Sequence, residues 1–204
     1  MTSRAEFEQL LRVTVAPLGL PLGPSEVEAL FAHYELLLHW NRRINLTSVR
    51  GAREIVERHF GESLFLAARM PREGRVVDIG SGAGFPGLPV AVLRRGLKVT
   101  LVESVGKKAA FLRECAREHG SVRVCGCRLK EVTGTFDWAT WRGVALEGIE
   151  DEVGGMVARV AAITSEKLAA EWATSKVIAW EAPVPMPWDP RRVLILGSVR
   201  QGKT

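Results

Sequence analysis

Residues 75–89 read RVVDIGSGAGFPGLP, and the rest of the chain can be organised around them. Val76, Val77, Asp78 and Ile79 form a short apolar run closed by a glycine cluster, the pattern of a buried strand. Gly80, Gly82 and Gly84 alternate with Ser81 and Ala83. Such a stretch lets the backbone turn sharply and leaves room for a ligand to approach. Pro86 and Pro89 suit the first turn of a helix, where a missing N–H has no partner to lose. The predicted unit is strand, glycine loop, helix. In an open α/β sheet, ligands bind at the carboxyl end of such strands.

The chemistry of the ligand is narrowed by charge. Gly82, Gly84 and Gly87 satisfy G-x-G-x-x-G, but one such match is a weak signal for a dinucleotide. Asp78 stands just before the glycines, where a pyrophosphate would meet a like charge at close range. A ligand carrying a sulfonium and an ammonium and no phosphate, such as S-adenosylmethionine, would be favoured there. The competing reading is a buried aspartate capping an ordinary strand–helix turn. About twenty residues on, Val99, Leu101 and Val102 form a second apolar strand ending in Glu103. A carboxylate at that place can accept both hydroxyls of a ribose. This supports a nucleoside site without separating one adenosine cofactor from another.

Composition sets the outer bounds. The chain has 204 residues, 47% hydrophobic and 25% charged, as in a globular α/β domain with a modest extension. No apolar run reaches the roughly 18 residues of a membrane span, and the N-terminus, MTSRAEFEQ, lacks the apolar core of a signal peptide. A cytoplasmic, monomeric protein without a membrane partner is expected. Cys115, Cys125 and Cys127 are an odd set with no zinc-like histidine spacing, so neither a metal nor a disulfide is expected. The net charge of +5 favours a polyanionic partner. Arg42, Arg43, Arg50, Arg53 and Arg58 cluster against only Glu54 and Glu57. A second basic group, Arg191, Arg192, Arg200 and Lys203, reads as a loose solvated tail.

Taken in order, residues 3–16 form an amphipathic helix stopped by Pro17, followed by the loop LGLPLGP. Ser25 and Glu28 read as a capping box opening a second helix that runs to about Arg43. A third helix spans about 52–68, and Pro71 to Gly74 links it to the glycine-rich strand. Two units result: a helical extension over 1–70 and a ligand-binding domain over 71–204. Beyond Glu103 a helix at 105–119, strands at 121–125 and 136–143, a helix at 148–158 and a strand at 159–163 are expected. Two late strands, 176–180 and 192–196, are joined by the proline-rich APVPMPWDP. Consecutive strands with no helix between them predict an antiparallel hairpin ending a parallel sheet. That ending belongs to methyltransferase sheets. The fold class is therefore α/β, Rossmann-like and S-adenosylmethionine-dependent, preceded by helices.

HWNRRINLTSVR (39–50), RHFGESL (58–64), VVDIGSGAGFPGLP (76–89) and VTLVESVGKKAAFLRE (99–114) together resemble the bacterial ribosomal RNA small subunit methyltransferase G family, also called glucose-inhibited division protein B. The resemblance covers almost the whole chain, strongly to about residue 145 and weakly beyond. It implies transfer of a methyl group from S-adenosylmethionine to N7 of a guanosine in small-subunit (16S) ribosomal RNA or the ribosomal particle. By motif it implies cofactor contacts at Gly80, Phe85, Leu129, Lys130 and Arg142. Asp78, Ser81, Gly82, Gly84, Glu103 and Ser104 complete that expected set. Asn41, Asn45, Thr47, Arg58, His59, Glu62 and Ser63 match motifs bordering the cofactor mouth, and of these Asn41, His59 and Glu62 join Arg142 as the catalytic candidates. Arg42, Arg43, Arg50, Arg53 and Arg58, with Lys107 and Lys108 of the G-K-[KR] element, are the expected RNA contacts. The chain departs from the pattern at Lys130, where the family has an acid, and at Trp141-Arg142-Gly143 in place of Ser-Arg-Ala. Lys167 in SEKL is the doubtful counterpart of the family's Leu-Lys-Gly. Guanine N7 carries no proton, so no general base is demanded and alignment alone can drive the reaction. Two other readings remain: a non-catalytic RNA- or ribosome-binding protein on the same fold, and a small-molecule methyltransferase.

Overall fold

The computed structural model describes residues 2–200. Its centre is an eight-stranded sheet in the order β3-β2-β1-β4-β5-β8-β6, with β7 also paired to β8. The strands are β1 (Glu73–Ile79), β2 (Gly96–Val102), β3 (Val122–Cys125), β4 (Phe136–Arg142), β5 (Val157–Ser165), β6 (Ile178–Trp180), β7 (Val184–Met186) and β8 (Asp189–Val199). β1 to β5 are parallel. β8 runs antiparallel to β5, β6 and β7, the ending the two late strands predicted.

The proline-rich segment that joins the two late strands itself contains a strand, β7. β7 passes through Pro185, which has no N–H to donate, and it is tolerated because β7 pairs on one side only, with β8. β8 is longer than expected and takes in Arg191 and Arg192. These two arginines are thus strand residues and not a loose tail; Lys203 lies outside the described residues.

Four helices precede the sheet: α1 (Arg4–Val15), α2 (Pro24–Trp40), α3 (Ala52–Ile55) and α4 (Glu62–Ala67). The expected capping box at Ser25 is not formed. Pro24 occupies the first helical position and Gly23 the cap, which places Ser25 inside the helix. Ser25 and Glu26 instead receive Arg95 at 2.7 and 2.9 Å. A capping box does occur at Ser3 and Glu6, opening α1. The third helix is not uniform either. Between α3 and α4 the backbone widens into a π-helical segment, Val56–Gly61, a distortion that recurs at functional sites.

The strands are buried on both faces, so successive residues enter different cores. Val76, Val99 and Leu101 face a layer shared with α1, α2, α4, α5 (Gly87–Leu93) and α6 (Gly106–Ala116). Val77, Ile79 and Trp141 face the opposite layer, closed by α7 (Glu150–Met156) and α8 (Glu166–Trp172). Phe7, Phe60 and Leu64 of the first segment share the former core with the sheet residues, so the leading helices seal one face of it. Trp40 is half-buried at its edge and donates to Glu114 at 3.0 Å.

Candidate functional site

The register brings the strand ends of the motif together. Asp78 pairs with Leu101 of β2 and Thr140 of β4, so Asp78, Glu103 and Arg142 lie along one carboxyl edge. The loop leaving β1 has Gly80 and Gly84 at φ 64° and 88°, a region that side chains disfavour. At Gly80 an added Cβ would also come within 2.7 Å of Val144. The loop is pinned by Ser81 N–H to the Val102 carbonyl at 3.0 Å and by Ser81 Oγ to the Asp78 carbonyl at 2.9 Å.

Glu103 braces this turn. Its carboxylate accepts from Gly82 N–H at 2.9 Å and from Val105 N–H at 2.8 Å. Each oxygen keeps further lone pairs. Above it lies a cavity of about 390 Å³ walled by Gly80, Glu103, Ser104, Leu129 and Lys130, all expected from sequence. Ile79, Val102, Cys127, Arg128, Gly148, Ile149 and Glu152 complete the wall, and the sequence alone assigns none of them to the site. Glu152 came from α7, a segment with no motif around it.

The remaining loop residues sit beneath that wall. Asp78 is fully buried, accepts from Thr140 Oγ1 at 2.8 Å, and has its other oxygen wedged against Gly87 without a hydrogen-bond partner among the described residues. Burial pushes its carboxyl up to about 6. Phe85 is buried between two imidazoles, His33 at 4.6 Å and His59 at 4.8 Å, both nearly parallel to its ring. His33, on α2, hydrogen-bonds the Ala83 carbonyl at 2.8 Å. A carbonyl only accepts, so Nε2 carries the proton. Burial depresses His33 to about 4, which keeps it neutral.

A second group of side chains forms beside the loop. Arg142 donates to His59 Nδ1 at 2.8 Å, to Glu62 at 3.4 Å and to the Arg58 carbonyl. Arginine only donates, so His59 Nδ1 accepts and Nε2 holds the proton toward Thr47 Oγ1 at 2.7 Å. Burial, with Arg142 and Arg58 adding to it, lowers His59 to about 2. Asn41 accepts from Leu46 N–H and Thr47 N–H at 2.9 and 3.1 Å, fixing the turn that presents Thr47. Asn41, Thr47, His59 and Arg142 are therefore one relay of hydrogen bonds. Glu62 closes it. That carboxylate, 1% exposed, accepts from Arg192 at 2.9 and 3.1 Å as well as from Arg142. Two guanidiniums share one buried acid, so the group carries excess positive charge. Arg192 had no local signal in the sequence; only the β8–β5 pairing brings it here.

The expected RNA contacts are spread over the same side. Arg42, Arg43 and Arg50 are exposed. Arg53 pairs with Glu57 at 3.5 Å and Arg58 with Glu54 at 3.2 Å along their helix. Lys107 is exposed and Lys108 half-buried in the first turn of α6. No group of three or more metal-ligating side chains occurs among the described residues.

Known structures place the fold. A ribosomal protein L11 methylase from Lactobacillus delbrueckii subsp. bulgaricus superposes with a TM-score of 0.59 at 15% identity, covering 71% of this chain and 80% of that one. TYW2 from M. jannaschii, solved in complex with AdoMet, gives 0.53 at 15% identity over 69% of this chain and 74% of that one. At these identities they establish the class: a Rossmann-like methyltransferase fold. The family described as rRNA small subunit methyltransferase G matches residues 26–150. The chain belongs to that family. Its curated relatives include the methyltransferase G of Dictyoglomus thermophilum, 39% identical over 153 residues, and that of Roseiflexus castenholzii, 53% identical over 108. Those matches span 70% and 52% of this chain but 64% and 45% of the relatives. The matched part is thus under two thirds of the relatives' length.

Proposed function

We propose that the chain binds S-adenosylmethionine in the Glu103 cavity and methylates N7 of a guanosine in small-subunit ribosomal RNA. The observation that carries this reading is the cavity itself: a glycine turn braced by a strand-end carboxylate, with room for a nucleoside. Glu103 faces the cavity with spare acceptor capacity, the acceptor set a ribose diol requires. When bound, the cofactor supplies an electrophilic methyl group on a sulfonium. The protein's part is positional. Glu103 and the Gly80 turn hold the nucleoside, and the buried carboxyl of Asp78 favours positive charge over the loop. Guanine N7 offers a lone pair and carries no proton, so the protein's residues would have only to align it with the methyl group the cofactor would supply. With His59 neutral and both its nitrogens engaged, it acts as a positioning residue for Arg142. Alignment of this kind can contribute on the order of 7–11 kcal/mol.

Guanine N7 is accessible only where an RNA helix opens, so the target lies in a loop or bulge. Arg42, Arg43 and Arg50, with Lys107, supply phosphate contacts around the mouth. The chain acts as a monomer, which sedimentation checks. Calorimetry with the demethylated cofactor and with NAD tests the pocket: micromolar binding of the former and none of the latter is expected. Preferential NAD binding would overturn the reading.

A further inference from the structure

A doubly wound sheet ordinarily carries helices over the whole of both faces, and here the helices of one face cover only part of it. The connection from β3 to β4 contains only a 3₁₀ turn, Leu129–Glu131. α7 packs on β5 and α8 on β5 and β8, with Trp172 of α8 against Trp141 of β4. The lower halves of β1, β2 and β3 are therefore bare on that face, and a groove of about 670 Å³ lies there. The charged residues that line it are all cationic. Arg75 is in register with Lys98, and Arg123 with Thr100, so alternation directs all three to the open face. All three are exposed, and none forms an ion pair among the described residues. Of the acids beside the groove, Asp137 accepts from Arg75 N–H at 2.7 Å, and Glu73 stands at the start of β1 in register with Gly96. Diagonal neighbours on a sheet stand roughly 7–8 Å apart, so the three charges make a stepped row. A further arginine, Arg128, stands on the wall of the Glu103 cavity.

We infer that this open face is a docking surface for an RNA backbone, holding a segment that runs from the methyl-donor mouth across the sheet to Arg75. The inference rests on the RNA substrate proposed above. A bare parallel-sheet face would otherwise expose apolar strand surface; here it presents a cationic row whose complement is a phosphate chain. The surface lies across the sheet from the Arg42–Arg58 cluster, so the protein would grip RNA on two sides of the cavity.

The test compares wild type with Arg75→Ser/Lys98→Ser/Arg123→Ser, in the full chain. Affinity for small-subunit ribosomal RNA is measured against salt, and affinity for the demethylated cofactor alongside it. Each lost phosphate contact should lower the log–log slope by roughly 0.7–0.9, so the triple variant should lose roughly 2–3. Cofactor affinity should be unchanged, which separates lost docking from lost folding. Lys98→Glu alone should weaken RNA binding further than Lys98→Ser. An unchanged slope in the triple variant overturns the inference. So does a loss seen with ribosomal particles but not with naked RNA, which would assign the face to a ribosomal protein. A wild type that binds no RNA overturns the substrate reading, and this inference with it.

Discussion

The Glu103 cavity and the Glu62 hub occupy the same edge of one sheet but are built from different kinds of information. The cavity is local. Gly80, Gly82, Glu103 and Val105 meet across two adjacent strands, and most of the bonds involve backbone amides. The hub is remote. Glu62, Arg142 and Arg192 come from a helix and two strands that only the finished fold brings together. A site made of backbone turns tolerates the surrounding chain. A site made of buried charges depends on all of it.

That difference predicts opposite costs for removing each acid. Glu62→Ala leaves two neighbouring guanidiniums with no counter-charge in a buried place, which should cost about 3–5 kcal/mol of stability in urea unfolding. A variant as stable as wild type would dissolve the hub as a structural unit. Glu103→Gln should fold normally but turn an amide NH₂ toward Gly82 or Val105 N–H. Binding of the demethylated cofactor should weaken by about 1–3 kcal/mol in calorimetry.

Asp78 sharpens the contrast through pH. Its folded value of about 6 lies above the ordinary carboxyl value of 3.8. Between those values the folded state holds the proton and the unfolded state does not, so this group's contribution to stability falls as pH rises through that window and is flat above it. A cationic ligand prefers the ionised form. S-adenosylmethionine affinity should therefore rise from pH 5 to pH 7, by less than tenfold per unit, while Asp78→Ala should show no such rise.

Smaller effects belong to the surface. Arg42→Ala/Arg43→Ala should reduce the salt slope of RNA binding by roughly 0.7–0.9 per lost contact, with stability untouched. Arg53→Ala, breaking an exposed pair with Glu57, should change stability by less than about 1 kcal/mol.

The same contrast explains what could be read in advance. β1, the glycine turn and the carboxylate ending β2 are written in contiguous residues, with strand and turn chemistry that act locally. The cap of α2 was misjudged because Pro24 claims the first helical position ahead of Ser25. β7 was hidden by Pro185, which is harmless only on a strand paired on one side. Arg192 looked like part of a charged tail, since its partner Glu62 lies 130 residues away. Arg142 is legible as a site residue by motif, but its partners Glu62, His59 and the Arg58 carbonyl lie 80 to 84 residues away and only the fold supplies them.

The central claim is that this edge of the sheet presents a methyl donor to guanine N7. Tritiated methyl transfer from S-adenosylmethionine into bacterial small ribosomal particles, followed by nucleoside mapping, tests it directly. The account predicts label in 7-methylguanosine of the small-subunit RNA, lost in Glu103→Gln and strongly reduced in Arg142→Lys, which keeps the charge but not the planar fork. Label on another base, or no label from a protein that binds the cofactor, would contradict it.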